Sequence, residues 1–170
     1  MYRIFLLLLV CSFLSCKKDV TELPNKLESA KDSIVLSKVD IQKIDFTEFV
    51  LDQQSENQLN WLKYYEMESK FNELKNGDLS HFKTDKKIVE TLINEFTSTL
   101  PENLNEEAIK ARVLIVKTMY LKLNNIINMS TSTEDEIKEA IKEFLKSFSN
   151  LNYQINKKFE RDSQHVTKPQ

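Results

Sequence analysis

Along the second half of the chain, apolar residues return at alternating intervals of four and three. Ile109, Val113, Val116, Tyr120, Leu123 and Ile127 form one series, and Ile137, Ile141, Phe144, Phe148, Leu151, Ile155 and Phe159 form another. That interval is the repeat of one helix face, so each series predicts a helix with a single buried seam. The polar stretch Ser130-Thr131-Ser132-Thr133 separates them, and Thr133 with Glu136 has the capping-box spacing of a helix start. A loop this short predicts an antiparallel hairpin.

Upstream the pattern is less regular but still helical. A helix over residues 46–75 would put Trp61, Tyr64, Met67, Phe71 and Leu74 on one face, with Asn76-Gly77 as its left-handed stop. Residues 78–82 read as a link. A helix over residues 85–99, capped by Thr84, carries Ile88, Leu92 and Phe96 inward with Val89 and Ile93 beside them, and Pro101 closes it. The following helix starts after Asn105, with Glu106 and Glu107 in a first turn where the macrodipole favours acid. Residues 34–45 carry apolar positions at mixed spacing and predict an extended lead-in packed on the bundle.

The fold class expected is therefore all-α, an up-down four-helix bundle over residues 46–161, with residues 162–170 as a disordered tail. One Gly and three Pro in 170 residues agree with it, because helix breakers are nearly absent from the body of the chain.

The first residues follow a different rule. Arg3 precedes an apolar run from Ile4 to Leu14, and Ser15-Cys16-Lys17-Lys18 ends it abruptly. A run of roughly 11 apolar residues is short of the roughly 20 that cross a bilayer core, so residues 1–15 read as a secretory signal peptide rather than a span. Phe13-Leu14-Ser15-Cys16 resembles the lipobox of bacterial lipoproteins, with Phe13 where that family prefers Leu. The resemblance implies cleavage before Cys16 and lipid on its thiol. Cys16 would then anchor the protein to a membrane, and residues 16–45 would form a flexible tether and the lead-in. A polar segment of 25 to 30 residues has a reach near roughly 30 Å.

Cys16-Lys17-Lys18-Asp19 is also similar to the signals that direct Bacteroidota lipoproteins to the cell surface, although Val20 stands where a second acid is usual. Outer-membrane localisation follows from the resemblance, with the surface and periplasmic faces both open. Asp32-Ser33-Ile34 matches the acceptor pattern of O-glycosylation in the same phylum, which would modify Ser33; an unmodified turn or helix cap at Ser33 fits the residues equally well.

Lipidation simplifies the remaining chemistry. One of two cysteines leaves with the leader and the other carries lipid, so the mature chain has neither thiol nor disulfide. Loss of Arg3 leaves 23 basic against 26 acidic residues, a net charge near −3, which argues against nucleic acid as a partner. No nucleophile motif occurs, so no catalytic residue and no cofactor is expected. Asp78-x-x-His81 and Asp162-x-x-His165 have the spacing of half a di-iron motif, but His81 falls in a link and His165 in the tail, so no metal is expected and both read as solvated.

Three residues remain as candidates for a site. Arg112 sits near the seam and reads as a structural pivot, paired with Glu95 or Glu66, or as the cation for an anionic ligand. Trp61 and Tyr64, with Tyr65, form an aromatic cluster that reads as core or as the wall of a ligand groove.

Trp61-Leu62-Lys63-Tyr64-Tyr65, the run from Gly77 to Phe82, and Leu100-Pro101-Glu102 leading to Ile109-Lys110-Ala111-Arg112 resemble a group of small uncharacterised flavobacterial lipoproteins. That resemblance implies an envelope location and supports Arg112 as a pivot. The expectation is a non-enzymatic, membrane-anchored lipoprotein whose bundle binds an envelope protein or surface polysaccharide. The alternative is a carrier of a small apolar or anionic ligand between helices.

Overall fold

In the computed structural model, residues 36–164 are described. The expected signal peptide, Cys16, Ser33 and most of the tether lie outside them, as do His165 and the rest of the C-terminal tail. The described chain is an all-α bundle without strands. Its helices are α1 (Lys38–Gln42), α2 (Gln53–Gln58), α3 (Leu62–Lys75), α4 (Lys86–Ser98), α5 (Glu107–Asn128) and α6 (Glu134–Ser163). Single 3-10 turns, Ser80–Lys83 and Glu102–Leu104, precede α4 and α5. Each of the four long helices packs on the next in sequence, and α3 closes the ring on α6.

The α5–α6 hairpin is the spine. Every seam residue of α6, from Ile137 to Phe159, is buried, and so are Ile109, Val113, Val116, Tyr120 and Leu123 of α5. At the end of the α5 seam Asn124 is buried in place of Ile127, which is only partly covered. Asn124 Nδ2 donates to the Phe82 carbonyl at 3.0 Å, and Asn128 Nδ2 donates to the same oxygen at 2.8 Å. This holds the 3-10 turn and its fully buried Phe82 on α5. The Thr133–Glu136 capping box starts α6 as the spacing predicts.

Gly77 ends α3 at φ +85°, the left-handed region that favours glycine. Its N–H donates to the Leu74 carbonyl at 2.8 Å and that of Asp78 to Glu73 at 2.9 Å, the two bonds of a Schellman stop. A Cβ here would also lie 2.8 Å from Lys38 Cα and 2.9 Å from Lys38 O, so glycine is required for the approach of α1 as well.

The lead-in expected to be extended over residues 34–45 instead turns helical at α1 (Lys38–Gln42), because the Ser37 side chain caps it by accepting from Asp40 N–H. Two expectations about the longer helices also need correcting. The helix predicted over residues 46–75 is broken. Residues 43–52 are a non-helical strap laid on α6; Asp52 then caps the short α2 through Ser55 N–H at 2.7 Å, and the chain is extended again at Leu59 before α3. The strap does not coil because α6 side chains take its backbone groups. Ser149 Oγ accepts from Phe49 N–H at 2.5 Å and donates to the Thr47 carbonyl at 2.9 Å. Asn152 Nδ2 donates to the Phe49 carbonyl at 3.0 Å; Asn156 Nδ2 donates to the Val50 carbonyl at 2.8 Å while its Oδ1 accepts from Asp52 N–H at 3.1 Å.

The second correction concerns α4. Its cap is Asp85, whose carboxylate accepts from Lys87 N–H at 2.7 Å, and not Thr84, which is extended. The inward face is Val89, Ile93 and Phe96; Ile88 is 57% exposed and Leu92 only partly buried. At the far end of the chain α6 runs through Asp162 and Ser163, two residues into the expected tail.

Candidate functional site

Trp61 and Tyr64 are core residues. The Trp61 indole stacks on Phe96 at 4.5 Å between ring centres and donates its N–H to Thr99 Oγ1 at 3.1 Å. Tyr64 stacks on Phe148 at 5.4 Å, and the two candidate aromatics lie 6.0 Å apart. Both rings are shut off from solvent and packed against further aromatics, so they wall no open space. Tyr65 is the outward member of the trio, its hydroxyl donating to the Leu59 carbonyl at 3.2 Å.

Arg112 does not join them. It is exposed on α5, because the buried seam steps from Ile109 to Val113 to Val116 and leaves residue 112 about 100° around the helix from Val113. The carboxylates proposed for it, Glu66 and Glu95, are both held by Lys63, at 2.7 and 2.8 Å. Among the described residues Arg112 makes no ion pair, so the structural pivot is corrected.

Lys63 ties α3 to α4 through Glu66 and Glu95, and both of those carboxylates line a surface groove of about 690 Å³ between the two helices. Ile88, Leu92 and Thr91 form the α4 side, Glu66 and Lys70 the α3 side, and His81 closes one end. Asp85, Lys87 and Glu95 stand on the rim. The hydrogen bond to Glu66 raises the Lys63 pKa, that to Glu95 acts in the same direction, and Lys70 is paired with Glu73 at 2.8 Å. The groove therefore presents an apolar strip between charges that are largely paired.

His81 is half-buried rather than solvated. Its Nε2 is hydrogen-bonded to the Tyr120 hydroxyl. Burial, and after it the nearby Lys70, lowers the imidazole pKa, and burial raises that of Tyr120. The pair is thus neutral at physiological pH.

A second polar constellation escaped the sequence reading. The Tyr64 hydroxyl lies 2.9 Å from Asn152 Oδ1 and 3.1 Å from Glu68 Oε1, at the foot of the row that holds the strap. Burial, and then the coulombic field of Glu68, pushes the Tyr64 pKa far up, so the phenol keeps its proton. Burial also raises the pKa of Glu68. Ser149, Asn152 and Asn156 follow the same three-and-four spacing as the apolar seam beside them, and that periodicity was the available signal.

Among the described residues no cluster of three or more His, Cys, Asp or Glu could hold a metal ion, and no helix is long and apolar enough to cross a membrane. Comparison with protein-family models, with curated proteins and with solved structures gave no match.

Proposed function

We propose that the chain is a non-enzymatic lipoprotein of the bacterial outer membrane, anchored by lipid on Cys16, whose helical domain binds an envelope protein or a surface polysaccharide. The observation that carries a binding role is where the concave surface lies. The interior is filled by Trp61, Tyr64, Phe96, Phe144 and Phe148, while the groove between α3 and α4 is open to solvent and floored by the exposed Ile88 and the partly buried Leu92. Apolar side chains left uncovered beside paired charges are the common make-up of a contact patch. The membrane assignment is supported by the apolar leader, the small residue before Cys16 and the switch to Lys17-Lys18.

A second reading, carriage of a small apolar or anionic ligand, is favoured by the groove volume, which falls in the range of roughly 300–1,000 Å³ typical of small-molecule sites. The ligand would lie in this outer groove, with its apolar part on Ile88 and Leu92, rather than beside Trp61 and Arg112.

The test is affinity capture of the lipidated protein from native membranes, in parallel with Ile88→Glu. Recovery of a partner by the wild type that is lost with Ile88→Glu supports binding through the groove; no partner above background sinks it and leaves the carrier, to be sought by extraction and mass spectrometry of co-purifying small molecules. Cys16→Ala tests the anchor separately: a variant that still incorporates labelled acyl chains would refute lipidation at this residue.

A further inference from the structure

Asn152 is fixed in orientation. Its Nδ2 is committed to the Phe49 carbonyl of the strap, so the atom facing Tyr64 is Oδ1, which can only accept. The Tyr64 hydroxyl has one hydrogen and two neighbours that demand it, Asn152 Oδ1 at 2.9 Å and Glu68 Oε1 at 3.1 Å. Within the protein, both demands are met only when the Glu68 carboxyl, which is partly buried, carries a proton. It then donates to the Tyr64 oxygen, and Tyr64 donates to Asn152. When Glu68 is ionised the carboxylate, the stronger acceptor, draws the Tyr64 hydrogen away, and a buried Asn152 Oδ1 loses its donor.

We propose that Glu68 is a proton-operated latch on the strap, which holds residues 47–52 against α6 when protonated and loosens them when ionised. This goes beyond the binding role proposed above and does not depend on it. The latch sits in one relay of four groups, Glu68 to Tyr64 to Asn152 to the Phe49 carbonyl, running from α3 through α6 to the strap. The part of the strap open to such control is residues 47–50: Thr47, Glu48 and Val50 are exposed and Phe49 is 36% exposed against Tyr153, so backbone bonds to α6 hold this stretch together with the Glu48–Lys75 ion pair, while the buried Leu51 seats its C-terminal end in the core. The titratable groups around Glu68 are Glu56 of α2 and Tyr64 and Tyr65 of its own helix, while α6 contributes the uncharged Asn152. No cation is among them to hold the carboxylate ionised. Burial raises its pKa most, the hydrogen bond from Tyr64 opposes that and the charge of Glu56 adds to it, and the net shift is upward, toward neutral pH.

The experiment is hydrogen exchange of single amides, read as protection factors corrected for intrinsic pH dependence, between about pH 4 and about pH 8. The Phe49 and Asp52 amides, bonded to Ser149 and Asn156, report the strap, and the Phe148 amide reports the helix beneath. In the wild type, protection of the two strap amides is expected to fall about three- to tenfold as pH rises, the scale of one lost hydrogen bond, with Phe148 unchanged. Glu68→Gln keeps a permanent donor toward Tyr64 and should hold the strap at its low-pH protection throughout. Glu56→Gln should move the wild-type transition to lower pH. A flat profile in the wild type, or an unaltered transition in Glu68→Gln, overturns the proposal.

Discussion

The side-chain amide of Asn152 joins two parts of the chain that sequence separates by about a hundred residues, donating to the carbonyl of Phe49 at 3.0 Å while accepting from the hydroxyl of Tyr64 at 2.9 Å. Asn152 is 3% exposed, so its own two bonds are shielded from solvent. Asn152→Ala should cost about 1–2 kcal/mol, because the Phe49 carbonyl loses its side-chain donor while the Tyr64 hydroxyl keeps Glu68 as its acceptor. Urea unfolding followed by circular dichroism measures it. A loss below about 0.5 kcal/mol would mean that the Asn152 bonds contribute nothing to the fold.

Gly77 makes a second strong demand. Alanine there must adopt φ near +85° and push its Cβ into the backbone of Lys38. The left-handed conformation alone costs about 1–2 kcal/mol, and displacement of α1 adds to it. The Gly77→Ala variant should melt lower by several degrees and expose the Ile41 amide to exchange; an unchanged melting temperature would show that the Schellman stop is dispensable.

Arg112 supplies the contrasting case. Exposed and without an ion pair among the described residues, it should tolerate Arg112→Ala within about 0.5 kcal/mol. Chemical denaturation decides it, and a loss of about 2 kcal/mol or more would restore the pivot.

His81 gives a pH dependence of known sign. Its folded pKa is lowered, first by burial, below the ordinary value of 6.5, so the unfolded chain binds more protons in that window. Its contribution to stability is present above 6.5 and is lost as pH falls through the folded pKa. An NMR titration should place the His81 midpoint below 6.5, and a midpoint raised by Tyr120→Phe would mark the Tyr120 hydroxyl as the donor to neutral imidazole. A wild-type midpoint at or above that value contradicts the assignment. Glu68 has the opposite sign: its raised pKa favours the fold at low pH, and that contribution is lost as pH rises through the folded value.

The legible parts of this fold were those whose determinants are local. The α6 seam and its capping box lie within one helix and could be read directly; so could Gly77, whose neighbour Asn76 ends the periodicity. The strap was misread because what keeps residues 46–52 out of a helix is Ser149, Asn152 and Asn156, far away in sequence and polar, and polar residues at seam spacing look like a solvated face. Arg112 failed for a narrower reason. It stands one position from Val113, and a single residue rotates a side chain by about 100°, enough to exchange interior for solvent. His81 looked like part of a solvated link until the neighbouring Phe82 was seen to pin that turn into the core.

The strap also dictates an order of events. Its anchoring bonds span 100 to 106 residues, whereas the α5–α6 hairpin closes around the few residues of one loop. Closing so long a loop carries an entropy penalty that short-range helix pairing avoids, so contacts of this separation form late. A segment synthesised ahead of all four long helices thus docks last, onto the last of them.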